Sequence, residues 1–232
     1  MPISYNFQFL NSTSCFIEFG LHVDELTSIR IAALANKLEE DEGIEDSVAS
    51  YTTLLVMFDP RFYNRVTIKR YLDQLISSLE SDAGERFSAN EIVIPVYYDP
   101  EVAPDLMEVA AACGVTVDAV IKLHSETVYR AYAIGFTPGY AYLGNLNKQL
   151  QLPRKSTPRL KVTKGSVAIA EQQTAVYPSD SPGGWHIIGR TPIELIDWQS
   201  ESLSLLSIGD HVRFEPISRA EYQAKGGGFN VL

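Results

Sequence analysis

The spacing of apolar residues in the first half of the chain predicts alternating strands and helices. Apolar side chains recur every three or four residues after Asp24 and again over 68–81, which is the period of an amphipathic helix. Asp24 suits the N-cap of the first helix. Apolar runs predict strands at 5–10, 15–20 and 91–99 and a strand pair within 47–60. The order ββαββαβ is compatible with a ferredoxin-like α/β sandwich, with helices on one face of an antiparallel sheet.

Two short helices are predicted within 105–126, and their spacing is similar to that of a DNA-binding helix-turn-helix. Between 99 and 126, however, six acidic residues accompany a single basic one, Lys122. Such a surface repels phosphates, so we expect two packed helices and no nucleic-acid partner.

After Tyr129 the helical period disappears. Short apolar runs between Gly-, Pro- and Ser-rich turns predict strands at 129–136, 166–170, 174–178, 185–190, 193–197 and 211–217. This pattern is typical of a closed or nearly closed β-barrel or a sandwich. The last residues, 225–232, are expected to form a loose tail.

Composition limits the class of protein. The chain has 232 residues and a mean hydropathy near zero, which is typical of one large or two small globular domains. The sequence has neither a signal-peptide pattern nor an apolar run of about 18 residues, so we expect a cytoplasmic protein without a membrane partner. Cys15 and Cys113 are expected to be reduced side chains without metal-binding neighbours.

Charge divides the chain into two parts. Residues 1–126 hold 8 basic and 21 acidic residues, whereas residues 127–232 hold 11 basic and 8 acidic ones, within a net charge of −10. This break favours two domains with different partners. The segment 148–164 has six basic and no acidic residues, which suits an anionic ligand or an acidic partner, although a solvated charged loop explains it equally well.

No P-loop, G-x-S-x-G, H-E-x-x-H or paired C-x-x-C motif is present. His124 ends the second short helix and is expected to interact with its dipole. In a strand over 185–190, His186 and Arg190 would share one face and suit a carboxylate or phosphate together with a proton transfer. A structural histidine beside a surface arginine is the alternative. The Gly- and aromatic-rich segment 135–144 is compatible with a ligand groove.

Three segments carry a family resemblance: LHSETVYRAYAIGFTPGYAYLG, TPRLKVTKGSVAIAEQQTAVYP and SPGGWHIIGRTP. Together they resemble the KipI/PxpB family of 5-oxoprolinase components, also called allophanate hydrolase subunit 1. The resemblance implies an α+β fold with a ferredoxin-like domain over 1–90 and a cyclophilin-like β-barrel over 91–232, with a two-helix insertion near 104–126. The chain departs from the family at Glu171, where Gly is common, and at Lys164, where a small residue is common.

The resemblance implies a subunit of an ATP-dependent 5-oxoprolinase complex, which opens the lactam of 5-oxoproline to glutamate while hydrolysing ATP. It implies PxpC-like and PxpA-like partners, and no activity without them. Mg²⁺ is expected with ATP, but the sequence has no evident carboxylate cluster to bind it. A KipI-like inhibitor that binds a sensor histidine kinase is the alternative. Hydrolysis of allophanate is a third possibility, but an amidase of that kind would need a Ser-Ser-Lys signature, which the chain lacks. A prolyl isomerase has only the predicted barrel in its favour, and a fold does not by itself indicate a function.

The resemblance also assigns site residues. His186 and Arg159 are the expected catalytic residues, in contact with phosphate or carboxylate together with Arg190. Gln173 would hold the substrate amide or the nucleotide. The backbone N–H groups of Gly183 and Gly184 would donate to the ligand. Further expected binding residues are Thr174, Tyr177, Ser181, Trp185, Phe136, Pro138 and Gly139.

Overall fold

The computed structural model of the protein describes residues 3–81, 90–200 and 202–229. Two units of structure are distinguished, Met1–Ala89 and Asn90–Leu232. The first contains β1 (Asn6–Phe9), β2 (Ser14–Glu18), α1 (Glu25–Glu39), β3 (Ile44–Ser50), β4 (Thr53–Phe58) and α2 (Arg65–Ser81).

The first unit forms an antiparallel sheet in the order β1-β2-β4-β3. The Asp24 side chain accepts a hydrogen bond from the N–H of Thr27, which confirms the predicted N-cap of α1. Both helices bury an apolar stripe, and β4 buries every second residue, as expected for a sheet covered on one face. The buried helix residues include Ile31, Leu34, Leu38, Ile68, Leu72 and Ile76.

The second unit begins with β5 (Glu91–Val96), α3 (Leu106–Cys113), α4 (Val117–Ser125), β6 (Val128–Ile134) and β7 (Ala141–Gly144). A 3-10 turn at Lys148–Leu150 is followed by β8 (Arg159–Val162), β9 (Ser166–Ala170), β10 (Gln173–Val176), β11 (Ser181–Gly183), β12 (His186–Arg190), β13 (His211–Pro216) and α5 (Arg219–Ala224). No described helix is long and apolar enough to cross a membrane.

The main sheet of this unit runs β5-β13-β6-β7-β10-β9-β12, and β8 pairs separately with β11. Only the β5–β13 pairing is parallel among these described pairs, so the α+β class is confirmed and the sheet is mostly antiparallel. The sheet is not a closed barrel over the described residues. The backbones of Tyr97 and Arg190 exchange two hydrogen bonds of 2.9 Å each, and these join the segment after β5 to β12.

Two elements differ from the sequence-based expectation. Strand β5 pairs with β13 in the second unit, because its apolar residues complete that sheet. The segment 193–197 is not a strand and contributes one bridge, Ile196 with Ser204.

The expected loose tail is wrong for residues 225–229, while 230–232 lie outside the described residues. The Phe229 ring packs edge-on against Tyr222, and the Arg219 guanidinium lies 4.4 Å from the Phe229 ring centre. The Gly228 carbonyl accepts hydrogen bonds from Tyr222 and Arg190. Aromatic packing and these bonds hold the glycine-rich segment in place.

Side chains on opposite faces of β9, β10 and β12 enter different apolar clusters. Ile169 and Ile188 belong to the larger cluster, which α3 and α4 cover. Ala168 and Ile187 belong to a smaller cluster rich in aromatic residues. The period of two along these strands therefore separates a closed core from an aromatic face.

Candidate functional site

Three buried side-chain atoms lack a hydrogen-bond partner among the described residues: Arg159 Nη1, Ser181 Oγ and His186 Nδ1. They belong to β8, β11 and the first residue of β12. Buried polar atoms in native proteins nearly always have a partner, so such exceptions mark places where a ligand or water can bind. All three were predicted as site residues from the sequence.

Asp105, just before α3, connects the parts of this cluster. Its Oδ1 accepts a hydrogen bond from Arg159 Nη2 at 2.6 Å, and its Oδ2 accepts one from the backbone N–H of Ile187 at 2.8 Å. Burial opposes the charged form, but the hydrogen bonds from Arg159, Ile187 and Lys155 hold the pKa of Asp105 below its usual value. The carboxylate therefore stays charged and fixes the guanidinium beside β12.

Lys155 adds a second cation to the cluster. Its Nζ donates to Asp105 Oδ1 at 3.0 Å and to Glu108 Oε2 at 2.9 Å. Burial works against its charge, while the two carboxylates raise the pKa of Lys155 overall. With Arg159, the cluster holds two cations and two carboxylates, so its net charge is close to zero.

The hydrogen bond of His186 determines which nitrogen carries the proton in its neutral form. Nε2 lies 2.9 Å from the carbonyl oxygen of Pro153, which can only accept. The hydrogen is therefore on Nε2, and Nδ1 of the neutral ring is an acceptor without a partner. The loop that starts at Pro153, whose carbonyl oxygen contacts the His186 ring, leads to Arg159 at the start of β8.

This loop lies against Gly184, where a Cβ atom would be in ordinary contact with Pro158 and with the Lys155 carbonyl. The backbone N–H of Lys155 donates to the Gly184 carbonyl at 2.7 Å. A Cβ atom on Gly183 would overlap the hydroxyl of Tyr177, so no larger residue fits there without a shift. Gly183 pairs with Arg159 in the β8–β11 ladder.

Aromatic residues cover the neighbouring face of the sheet. Tyr140, Tyr177 and Trp185 are buried, with the Tyr140 and Trp185 ring centres 6.1 Å apart. Burial raises the pKa of Tyr140 far above its usual range. The Arg154 guanidinium lies 5.9 Å from the Trp185 ring centre, within the range of a cation–π contact.

The predicted glycine- and aromatic-rich groove residues lie partly at the surface. Phe136 is 63% exposed, Pro138 is exposed, and Gly139 is buried against Ile196. Gln173 lies on the same face of β10 as Ala175, which belongs to the aromatic cluster.

Arg190 does not share a face with His186. The β9–β12 register shifts between Ile187 and Gly189, and a Cβ on Gly189 would point into the core against Val96 and Tyr98. This bulge reverses the alternation, because one extra residue is inserted. Arg190 instead donates to the carbonyls of Lys164 and Gly228, both at 3.0 Å.

Thr174 and His124 form an internal network. Thr174 Oγ1 donates to the Ala168 carbonyl at 3.0 Å and accepts from His124 Nε2 at 2.8 Å. The Tyr98 hydroxyl lies 2.7 Å from His124 Nδ1. Burial lowers the pKa of His124 to about 3, so the expected interaction of a charged His124 with the helix dipole is wrong.

Sequence reasoning missed the role of Asp105. It counted Asp105 only as one of the charges that argue against DNA binding. Asp105 directly precedes α3, but only the fold brings its side chain to β12. No group of three or more metal-binding side chains occurs in the described ranges.

Over residues 5–206 the sequence matches the family described as the carboxyltransferase domain, subdomain C and D. The chain belongs to this family. It is 36% identical to a 5-oxoprolinase subunit of Bacillus subtilis (strain 168), over 97% of this chain and 98% of that protein. The corresponding 5-oxoprolinase subunit of Haemophilus influenzae is 39% identical over 78% of this chain and 84% of its own length. The predicted family is thereby confirmed.

Solved structures agree with this assignment. The crystal structure of TTHA0988 matches 88% of this chain with a TM-score of 0.78 and 37% identity. The chain spans only 40% of the length of that protein. The Kluyveromyces lactis urea carboxylase shares the fold over 95% of this chain, with a TM-score of 0.68 at 17% identity.

Proposed function

We propose that this chain is the PxpB-like subunit of an ATP-dependent 5-oxoprolinase complex, which opens 5-oxoproline to glutamate while hydrolysing ATP. The similarity to 5-oxoprolinase subunits of three bacteria, at 36–39% identity over most of the chain, supports this function. The structural observation that carries it is the group of buried, unpartnered polar atoms on Arg159, Ser181 and His186.

The proposed reaction needs groups that these residues supply. Hydrolysis breaks the ring C–N bond, adds the oxygen of water to the carbonyl carbon and releases the nitrogen as an amine. A lactam is a poor electrophile, so coupling to the hydrolysis of ATP is chemically reasonable. A guanidinium such as that of Arg159 stabilises negative charge that develops on the carbonyl oxygen. Burial strengthens such an interaction because water is excluded.

The proposal extends to partners and fold. PxpC-like and PxpA-like proteins would complete the enzyme, ATP would bind within the complex, and the chain would be inactive alone, in the cytoplasm. A partner would supply the ligands of Mg²⁺, since the described residues offer no group of three or more metal-binding side chains.

The order β2-α1-β3-β4-α2 supports a ferredoxin-like first domain, and the bridge between Tyr97 and Arg190 supports a cyclophilin-like second domain.

The test is glutamate release from 5-oxoproline and ATP by this chain mixed with its two partner proteins, each omitted in turn. Release should require this chain. Arg159→Ala should lower kcat/KM by about 100-fold or more, the usual effect of removing one donor to a developing oxyanion. Arg213→Ala is the matched control, because Arg213 lies in β13 with a half-exposed side chain and only a 3.9 Å ion pair to Glu91.

Absence of turnover in the full mixture of folded proteins would contradict the proposal. A one-to-one complex with a sensor histidine kinase, without ATP consumption, would then favour the inhibitor function.

A further inference from the structure

His186 Nδ1 is an acceptor and Arg159 Nη1 is a donor, and neither atom has a partner in the described parts of the chain. We infer that His186 Nδ1 and Arg159 Nη1 bind the N–H and the C=O of one lactam edge, and that Asp105 positions them. The inference rests on the proposed function and assigns the lactam, in place of a phosphate, to this cluster.

The two unpartnered atoms have opposite hydrogen-bonding character. The bond to Pro153 places the hydrogen of the neutral imidazole on Nε2, so Nδ1 has a free lone pair that needs an N–H or O–H. Arg159 uses Nη2 for Asp105, and Nη1 can only donate. A ligand that satisfies both atoms must offer one donor and one acceptor.

The charges of this cluster are already paired. The cations of Lys155 and Arg159 contact the carboxylates of Asp105 and Glu108 at 2.6–3.0 Å. A phosphate bound to Arg159 Nη1 would place its negative charge next to buried Asp105, whereas the amide edge of 5-oxoproline is neutral and its carboxylate is attached to a ring carbon outside that edge. The charge balance therefore favours the amide edge at these two atoms.

Asp105 holds both groups in position. Asp105 contacts Arg159 with one oxygen and the N–H of Ile187, the residue after His186, with the other. Through Ile187 it fixes the backbone next to His186, and through Nη2 it fixes the guanidinium. Asp105 acts through these two groups and is a positioning residue.

The shape of a lactam suits a donor and an acceptor in one cluster. A small lactam ring forces its amide to be cis, so that N–H and C=O point to the same side, whereas an open-chain amide is trans and points them to opposite sides. A donor and an acceptor in one cluster can therefore select a lactam over a peptide-like amide.

The experiment compares binding of 5-oxoproline and its N-methyl derivative, which lacks the N–H, to the complex with its partner proteins by calorimetry. The unmodified complex should bind 5-oxoproline at least about tenfold more tightly, because methylation leaves Nδ1 buried without a partner. Inorganic phosphate should not compete. This comparison needs no variant and no turnover.

Two substitutions at His186 separate its nitrogens. His186→Gln keeps an N–H near Nε2 for Pro153 but has no acceptor near Nδ1, so it should lose the discrimination between the two lactams. His186→Asn keeps an acceptor near Nδ1 and should retain part of it. Asp105→Asn should weaken the binding of both lactams, because Arg159 and the backbone at Ile187 lose their charged partner. The double variant Asp105→Asn with Lys155→Met, which also removes a cation, should not recover this binding.

Equal binding of the two lactams by the unmodified complex, or competition by phosphate, would overturn the inference. So would a His186→Gln complex that still discriminates. If turnover of 5-oxoproline is normal in these cases, the proposed function stands and only the assignment of the lactam fails.

Discussion

Two buried histidines of the second unit lie in opposite environments. His124 is fully buried, and both of its nitrogens have partners, Tyr98 and Thr174, while its ring stacks on Phe214 with centres 4.5 Å apart. His186 is 7% exposed, and only Nε2 has a partner. Burial alone therefore does not identify a site. An unpaired nitrogen indicates a site, because the polar atoms of a purely structural network all have hydrogen-bond partners.

The largest expected effect comes from making the same substitution at both histidines. His124→Gln should lower the free energy of unfolding by about 2–4 kcal/mol, because it leaves the Tyr98 hydroxyl buried without an acceptor and removes the ring stacking. His186→Gln keeps the bond to Pro153 and should lower it by about 1 kcal/mol or less. Urea unfolding of the two variants measures both values. Equal losses would contradict the difference between the two environments.

The next effect is on the pH dependence of stability. The pKa of His124 is about 3 in the folded protein, against 6.5 as its ordinary value. Between these values the unfolded chain binds a proton that the folded chain does not, so stability falls as the pH decreases from 6.5 toward 3. The slope from this group should reach about 1 kcal/mol per pH unit.

Urea unfolding at pH 7, 6 and 5 measures this slope. His124→Gln removes the titrating group and serves as the control, since carboxylates titrate equally in both proteins. A slope that is the same in the variant would place a charged histidine at this position and contradict the neutral network.

The smallest effect concerns Glu171, in the turn that leads to the strand of Thr174. Its φ of +54° lies in the left-handed region, where a residue with a Cβ is disfavoured by about 1–2 kcal/mol. Glu171→Gly should therefore raise stability by up to about 1 kcal/mol, since the 3.7 Å pair with Arg154 is solvent-exposed and contributes little. Thermal unfolding checks the sign. A lower melting temperature would show that the ion pair with Arg154 outweighs the strain.

The same φ bears on the departure from the resembled family noted at Glu171. The resemblance implies Gly at this position, and Gly is the residue that a left-handed turn accommodates without strain.

Local chemistry made much of the fold predictable. The helix period and the cap at Asp24 identified α1, and the motif around Gly183, Gly184 and His186 led to the candidate site. These features depend on neighbours a few residues apart, which a sequence displays directly.

Contacts between distant segments were not predictable in this way. A one-residue bulge turned Arg190 away from His186, and Asp105 meets Arg159 across 54 residues of sequence. The pairing of β5 with β13 likewise depends on the completed sheet.

The family, the α+β class and the types of residue that could bind a ligand therefore followed from the order of amino acids alone. Which of those polar groups are already satisfied within the protein depended on the folded chain. Folding gave both nitrogens of His124 a partner but only one nitrogen of His186, because a buried hydrogen bond requires a partner that tertiary contacts bring within about 3 Å.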